Sequence, residues 1–136
     1  MRKIKWVSAA VLGLCVGIVI GYFHTNNVQT ESMDGFVPRD EYSVNRLVDA
    51  IYQAEGGKET SYPFGIKSVA CEGYVECRQV CVNTVVNNVG RWENAKSNGY
   101  SESYLTFLWK RYCPPKAHRL NENWLGNVKW FMNNEG

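Results

Sequence analysis

The chain has few of the residues that metal-binding and nucleic-acid-binding proteins use. It contains only two histidines, His24 and His118, and its five cysteines include no C-x-x-C pair. The ligand spacing of a zinc site is therefore missing, and we expect no metal and no cofactor. The net charge is only +2 and no basic patch with interleaved aromatics is present, so we expect no nucleic-acid partner. Repeats and low-complexity tracts are also missing, and the length fits one small domain with appendages.

The N-terminal segment lacks charge over a long run. Three basic residues precede the uncharged residues 6–23, and a membrane-spanning helix needs about 17–25 apolar residues. The run has no A-x-A-like exit of the kind that marks a cleaved signal peptide. We predict an uncleaved signal-anchor (transmembrane) helix over residues 1–23, with the rest of the chain in the periplasm or extracytoplasmic space. Secretion after signal cleavage is one alternative, and a buried core helix is another.

Residues 24–41 are polar and contain Gly35 and Pro38. This composition is typical of a linker. We predict that the linker holds a domain, residues 42–136, off the inner membrane.

Four cysteines lie in the predicted exported part. An even number in a short exported domain suggests two disulfides, with three possible connectivities; free or metal-bound thiols are the alternative. We predict the pairs Cys71–Cys77, which closes a small loop, and Cys81–Cys113, which joins the second helix to the end of the third. A domain of about 95 residues buries little surface, so crosslinks would stabilise it.

Apolar residues recur at helical spacing and predict a mostly α-helical domain with four helices. The first has the N-cap Ser43 and stops at Gly56, and a loop or short extended segment, ETSYPFGIKS, follows. The second covers residues 75–95, with a predicted apolar stripe of Val82, Val85, Val86, Val89 and Trp92. The third follows a cap at Ser101 or Ser103 and faces inward through Leu105, Leu108, Trp109 and Tyr112. The fourth covers residues 121–132 and buries Trp124, Val128 and either Phe131 or Trp130.

Glu55 is the candidate catalytic residue. It lies four residues after Ile51 and eight after Leu47, so helical geometry turns it toward the core-facing side. Desolvation favours the protonated carboxyl, and we expect the pKa of Glu55 to be raised. Such an acid can donate a proton to a leaving oxygen, and Gly56-Gly57 leave room for a substrate. An ordinary solvated glutamate near a helix C-cap is the alternative.

Aromatic and amide side chains near Glu55 suit a sugar substrate. Tyr62 and Phe64 can stack on sugar faces, and Gly65 lets the backbone come close. Asn83 and Asn87, four residues apart on the second helix, offer donors and acceptors for hydroxyl and N-acetyl groups. The alternatives are aromatics that fill the core of a small domain and an ordinary solvated helix face.

The segments AEGG, YPFGI, NTVVNN, RYCPP and NENW together resemble a group of short lysozyme-like bacterial proteins. Their superfamily includes lytic transglycosylases and resuscitation-promoting-factor domains. The resemblance covers about residues 42–132 and implies a small lysozyme-like helical domain. It places Glu55 at the family's catalytic glutamate and residues 65–68 at its glycine-containing loop, which adds Ser68 to the expected substrate contacts. Tyr112 is the last of the expected substrate contacts. The Gly-Leu-Met-Gln run of many transglycosylases is missing here.

The resemblance implies a peptidoglycan glycosidase. Glu55 would protonate the glycosidic oxygen between N-acetylmuramic acid (MurNAc) and N-acetylglucosamine (GlcNAc). A hydrolase usually has a second carboxylate, and neither Glu59, Glu72 nor Glu76 has a recognisable second-acid context. The sequence therefore slightly favours a lytic transglycosylase, in which the muramyl 6-hydroxyl closes an anhydro ring.

The expected partners are peptidoglycan strands and, through the N-terminal helix, the membrane, and we expect a monomer. Two other functions stay open. One is a non-catalytic module that binds the wall through the same groove. The other is a structural anchor of an envelope complex.

Overall fold

Four α-helices surround one apolar core in the computed structural model, which describes residues 33–134. They are α1 (Glu41–Ala54), α2 (Gly73–Ser97), α3 (Tyr104–Tyr112) and α4 (Trp124–Asn134). Short 3-10 turns occupy Met33–Gly35, Gly57–Glu59, Pro115–Ala117 and Arg119–Asn123. Residues 33–134 contain no β-strand, so the predicted mostly α-helical class is confirmed.

Helix α1 packs against both α2 and α4, and α3 packs against the same two helices. Asp40 caps α1: its carboxylate accepts from the Ser43 N–H at 2.8 Å, while the Ser43 hydroxyl accepts from the Asp40 N–H at 3.2 Å. This reciprocal capping box starts the helix earlier than predicted, so Ser43 is inside it. Gly56, at φ +92°, adopts the left-handed conformation that commonly ends helices, as predicted.

Helix α2 confirms only part of the predicted valine stripe. Its buried residues are Cys77, Cys81, Val85, Asn88 and Trp92, at steps of three or four. Val86 is 49% exposed because one residue beyond Val85 turns about 100° around the helix axis. Val85 and Trp92 are buried as predicted, and Val82 and Val89 pack partly against the core. Counting only large apolar residues therefore misplaced Val86 and missed the buried cysteines and Asn88.

Helices α3 and α4 largely follow their predicted patterns. Ser103, one of the two predicted caps, accepts from the Thr106 N–H at 3.3 Å. Helix α4 begins at Trp124 rather than residue 121, since a 3-10 turn precedes it. Trp124 and Val128 are buried as predicted, Trp130 is 53% exposed, and Phe131 packs partly against the core.

The predicted linker is wrong for residues 33–41. Met33 is buried, Phe36 and Val37 pack against the core, and the Arg39 guanidinium lies 2.6 Å from the Glu93 carboxylate. These residues therefore belong to the helical domain. Residues 24–32 and the predicted membrane segment, 1–23, lie outside the described residues. Between residues 33 and 134, no helix combines the length and apolarity that crossing a membrane requires.

One of the two predicted disulfides forms. Cys71 is bonded to Cys77, which confirms the small loop. Cys81 and Cys113 are thiols, both fully buried, so their predicted bond is wrong. The Cys81 sulfur lies 3.7 Å from the hydroxyl of Tyr112. The side chain that contacts the Cys81 sulfur is thus that of Tyr112, the last residue of α3, whereas Cys113 follows the helix as its C-cap.

Selective alkylation should separate the two kinds of cysteine. Burial raises the pKa of the Cys81 thiol to about 12, against the opposing effect of the Tyr112 hydroxyl, so little reactive thiolate exists at pH 8. We expect iodoacetamide to spare Cys81 in the native full-length chain and to label Cys81 and Cys113 after unfolding without reductant. Cys71 and Cys77 should react only after reduction. A Cys81–Cys113 crosslinked peptide in the mass spectrum would contradict the assignment.

Candidate functional site

Glu55 is enclosed at the junction of two helices. It is the C-cap residue of α1, and it is only 2% exposed. Its Oε1 accepts a hydrogen bond from the indole N–H of Trp124 at 2.7 Å, and Trp124 is the buried first residue of α4. Glu55 is the one buried carboxyl group among residues 33–134. The alternative of an ordinary solvated glutamate is therefore wrong.

The backbone of Gly65 lies directly against the Glu55 carboxyl group. A Cβ atom at Gly65 would stand 2.5 Å from both Cδ and Oε2 of Glu55, and the φ of Gly65 is +68°. Space and backbone conformation thus both require glycine. The turn that brings it there is local: the Gly65 N–H donates to the Tyr62 carbonyl at 2.8 Å, with Pro63 second and glycine fourth. The Gly65 backbone was predicted to come close to a sugar, and in the structure it comes close to the Glu55 carboxyl group.

Tyr112 contacts both groups that enclose Glu55. Its hydroxyl donates to the carbonyl oxygen of Phe64, which holds the Tyr62–Gly65 turn. Its ring stacks on Trp124, with centroids 5.3 Å apart and planes at 28°. Tyr112 was predicted to bind substrate, and the structure places it behind the turn as a support for the enclosure.

Burial and hydrogen bonding act on Glu55 in opposite directions. A desolvated carboxyl group favours its neutral form, whereas an indole N–H donor favours the carboxylate. In the neutral acid, Oε1 accepts the hydrogen bond from Trp124 and serves as the carbonyl oxygen. The proton is then on Oε2, which lies on the side of Gly65. A proton given up by Glu55 would then leave from the side of Gly65. The raised pKa of Glu55 expected from the sequence stays a prediction.

The predicted aromatic contacts separate into a buried and an exposed residue. Phe64 is 1% exposed and packs on Tyr52 at 5.2 Å between ring centroids, so in this conformation it fills the core and is not accessible to a sugar. Tyr62 is 48% exposed, with the Lys67 ammonium 4.7 Å from its ring centroid. Ser68 is exposed on the same loop. Tyr62 and Ser68 thus stay accessible, and Phe64 does not.

The predicted amide ridge lies on the outer side of α2. Asn83 and Asn87 are exposed, and Asn83 accepts from Gln79 at 3.0 Å. Two residues along a helix turn about 200°, so Asn83 and Asn87 point away when Cys81 and Val85 face the core. The structure does not bring them to the enclosure of Glu55, and the solvated-face alternative describes them better.

The three carboxylates considered as partners of Glu55 all lie on the surface. Glu59, Glu72 and Glu76 are exposed, and the Glu76 carboxylate accepts from the Glu72 N–H at 2.7 Å near the start of α2. Asp49 is half-exposed and bound to Arg78 at 3.1 Å. A cleft of about 470 Å³ lies elsewhere, between residues 34–37, the end of α2 and the start of α3, and Glu55 does not line it.

Comparisons with protein-family models, curated proteins and solved structures find no match to this chain. The resemblance to lysozyme-like proteins therefore depends on the five sequence motifs alone. What the structure adds is the geometry around the glutamate that those motifs single out.

Sequence reasoning missed the role of Trp124, which it placed only in the core. The indole donor reaches Glu55 across 69 residues of chain. One general signal was available, since a buried tryptophan usually finds a partner for its N–H. Nothing local in the sequence says which acceptor that partner is.

Proposed function

We propose that the protein is a peptidoglycan-cleaving glycosidase, a lytic transglycosylase or a muramidase, with Glu55 as general acid. Its target is the β-1,4 bond between MurNAc and GlcNAc. One observation carries the proposal: Glu55 is buried and oriented by the Trp124 indole on one oxygen and the Gly65 backbone at the other. Burying a carboxyl group costs stability unless it is compensated, and such acids cluster at functional sites.

Because Glu55 is enclosed, the turn that covers it has to move before the acid can reach the substrate. Because Glu55 is 2% exposed, the Tyr62–Gly65 turn has to shift for a glycosidic oxygen to reach Oε2. The hydroxyl of Tyr112 holds this turn through the Phe64 carbonyl. Glu55 then transfers its proton to the glycosidic oxygen as an oxocarbenium-like centre forms. The resulting carboxylate keeps the hydrogen bond from Trp124.

The surface positions of the other candidate acids favour the transglycosylase outcome. In residues 33–134 no second carboxyl group is buried. Glu55 would then act as base after it has acted as acid, and take the proton of the muramyl 6-hydroxyl as that oxygen closes the anhydro ring.

The proposed location is the outer side of the inner membrane, with the N-terminal helix as anchor and the helical domain in the periplasm. The Cys71–Cys77 bond supports an exported domain, because structural disulfides persist in oxidising compartments.

A non-catalytic wall-binding module is the second candidate function. The same enclosure favours it, since a buried acid with a hydrogen-bond partner is also how a purely structural glutamate is accommodated. In that case the domain binds peptidoglycan and releases nothing from it.

Digestion of purified peptidoglycan by the full-length protein in mild detergent tests these functions. Mass analysis of soluble products should show anhydro-muramic ends for a transglycosylase and reducing muramic ends for a muramidase. Binding without release would favour the wall-binding module. Neither binding nor release would contradict both.

A further inference from the structure

Three aromatic rings form a cluster beside the turn that covers Glu55. Phe64, Tyr52 and Tyr74 lie with ring centroids 5.2, 5.3 and 5.7 Å apart. Phe64 is buried and Tyr52 is half-buried, whereas Tyr74 is 47% exposed. The cluster therefore presents the ring of Tyr74 to solvent.

Tyr74 is held in one orientation from several sides. It meets Tyr52 edge-on, at 87°, and Phe64 at 44°. Arg78, one helical turn along α2, is close enough to interact with its side chain electrostatically. The Cys71–Cys77 disulfide crosslinks the chain on either side of it. An exposed ring that is this constrained loses little conformational freedom when a ligand stacks on it.

Planar polar groups lie next to this ring. Arg78 donates to the Asn45 amide oxygen and to the Asp49 carboxylate, both at 3.1 Å. Asn45, Asp49 and Tyr52 follow each other at steps of four and three, so they share one face of α1. The side chain of Asp49 remains 47% exposed and that of Arg78 26%. An aromatic face bordered by a carboxylate, a guanidinium and an amide matches a pyranose ring, which has apolar C–H faces and a rim of hydroxyls.

We propose that Tyr74, with Asp49 and Arg78 at its edge, forms a saccharide-binding subsite for an N-acetylhexosamine unit of the glycan strand. The subsite rests on the proposed function and specifies where the substrate lies. Tyr52 precedes Glu55 by about one helical turn, and the Tyr74 ring is 5.3 Å from that of Tyr52. Phe64, whose ring is 5.7 Å from that of Tyr74, directly precedes Gly65, which lies against the Glu55 carboxyl group. We therefore place the bound sugar near the bond that Glu55 acts on. Tyr74 takes the stacking role that the sequence suggested for Phe64.

The test is binding of soluble GlcNAc oligomers, measured by calorimetry with full-length protein carrying Glu55→Gln, so that binding is read without cleavage. Tyr74→Ala should weaken affinity at least about tenfold, whereas Tyr74→Phe should keep it within about threefold, since the ring remains. Tyr74→Leu keeps apolar volume without a flat face and should lose affinity as alanine does. Tyr42→Ala is the matched control, because Tyr42 is 76% exposed at the start of α1, outside the cluster.

The outcomes separate the subsite from the proposed reaction. No oligomer binding by the parent, or equal affinity in the Tyr74→Leu variant, overturns the subsite even if the wild-type protein cleaves peptidoglycan. Binding that depends on the Tyr74 ring supports the subsite even if no muropeptides are released, and in that case only the glycosidase proposal fails. Thermal unfolding of each variant shows whether a lost affinity reflects lost structure.

Discussion

Replacing Glu55 by glutamine is expected to slow the release of soluble muropeptides from peptidoglycan by at least about 100-fold. The amide cannot protonate a glycosidic oxygen. Glutamine has the same shape, and its carbonyl oxygen can still accept from the Trp124 indole, which lies 2.7 Å from Oε1 of Glu55 in the wild-type protein. We therefore expect the unfolding temperature to stay within about 5 °C of wild type. Initial rates of product release and thermal melting measured by circular dichroism give the two values.

Glu41→Gln is the matched control for this prediction. Glu41 is an exposed glutamate in the first turn of the same helix, at the end opposite Glu55. Its variant should cleave at the wild-type rate. If Glu55→Gln instead cleaves as fast as wild type while remaining folded, Glu55 is not the acid. If wild type itself only binds, the non-catalytic module is favoured.

Replacing Gly65 by alanine is expected to destabilise the domain by about 2 kcal/mol or more and to abolish wall cleavage with it. At φ +68° a residue with a Cβ is strained, and that Cβ would stand 2.5 Å from Cδ and Oε2 of Glu55. Either the turn or the carboxyl group then has to move, and both belong to the proposed site. Urea unfolding at equilibrium measures the loss.

Two further variants show whether the cause is this contact. Gly90→Ala, in the exposed middle of α2 where a Cβ meets nothing within 4 Å, should stabilise the domain by about 0.5–1 kcal/mol. In a double-mutant cycle, Gly65→Ala should cost less when Glu55 is already alanine, because the overlapping carboxyl group is gone. Equal cost in both backgrounds, or a Gly65→Ala protein as stable as wild type, would contradict the steric argument.

Helix α1 shows how far local pattern reaches. The apolar spacing from Val44 to Ala54 predicted the buried side correctly, and Gly56 ended the helix where expected. The pattern was only partly right on α2, because Cys77, Cys81 and Asn88 also occupy core positions, which a count of valines does not recognise. The sequence shows the helical spacing of apolar residues in both helices, but packing decided which residues of α2 face the core.

The two predicted disulfides also differ in whether local sequence or helix packing decides them. Cys71 and Cys77 are six residues apart and meet across one short loop. Cys81 lies on α2 and Cys113 directly follows α3, so their separation depends on the rotation of each helix about its axis. That rotation places Tyr112 opposite Cys81. Sequence alone could propose the long-range pair but could not test it.

The sequence by itself determined that a glutamate ends the first helix and that an aromatic, glycine-containing loop follows, because helix stops and loops depend on neighbouring residues. Only the tertiary structure decided that Trp124 donates to Glu55, that Gly65 lies against its carboxyl group, and that Asn83 and Asn87 face away. Those relations depend on how α2 and α4 are rotated against α1. Packing of the whole core sets these rotations, and the periodicity of any single helix does not contain them.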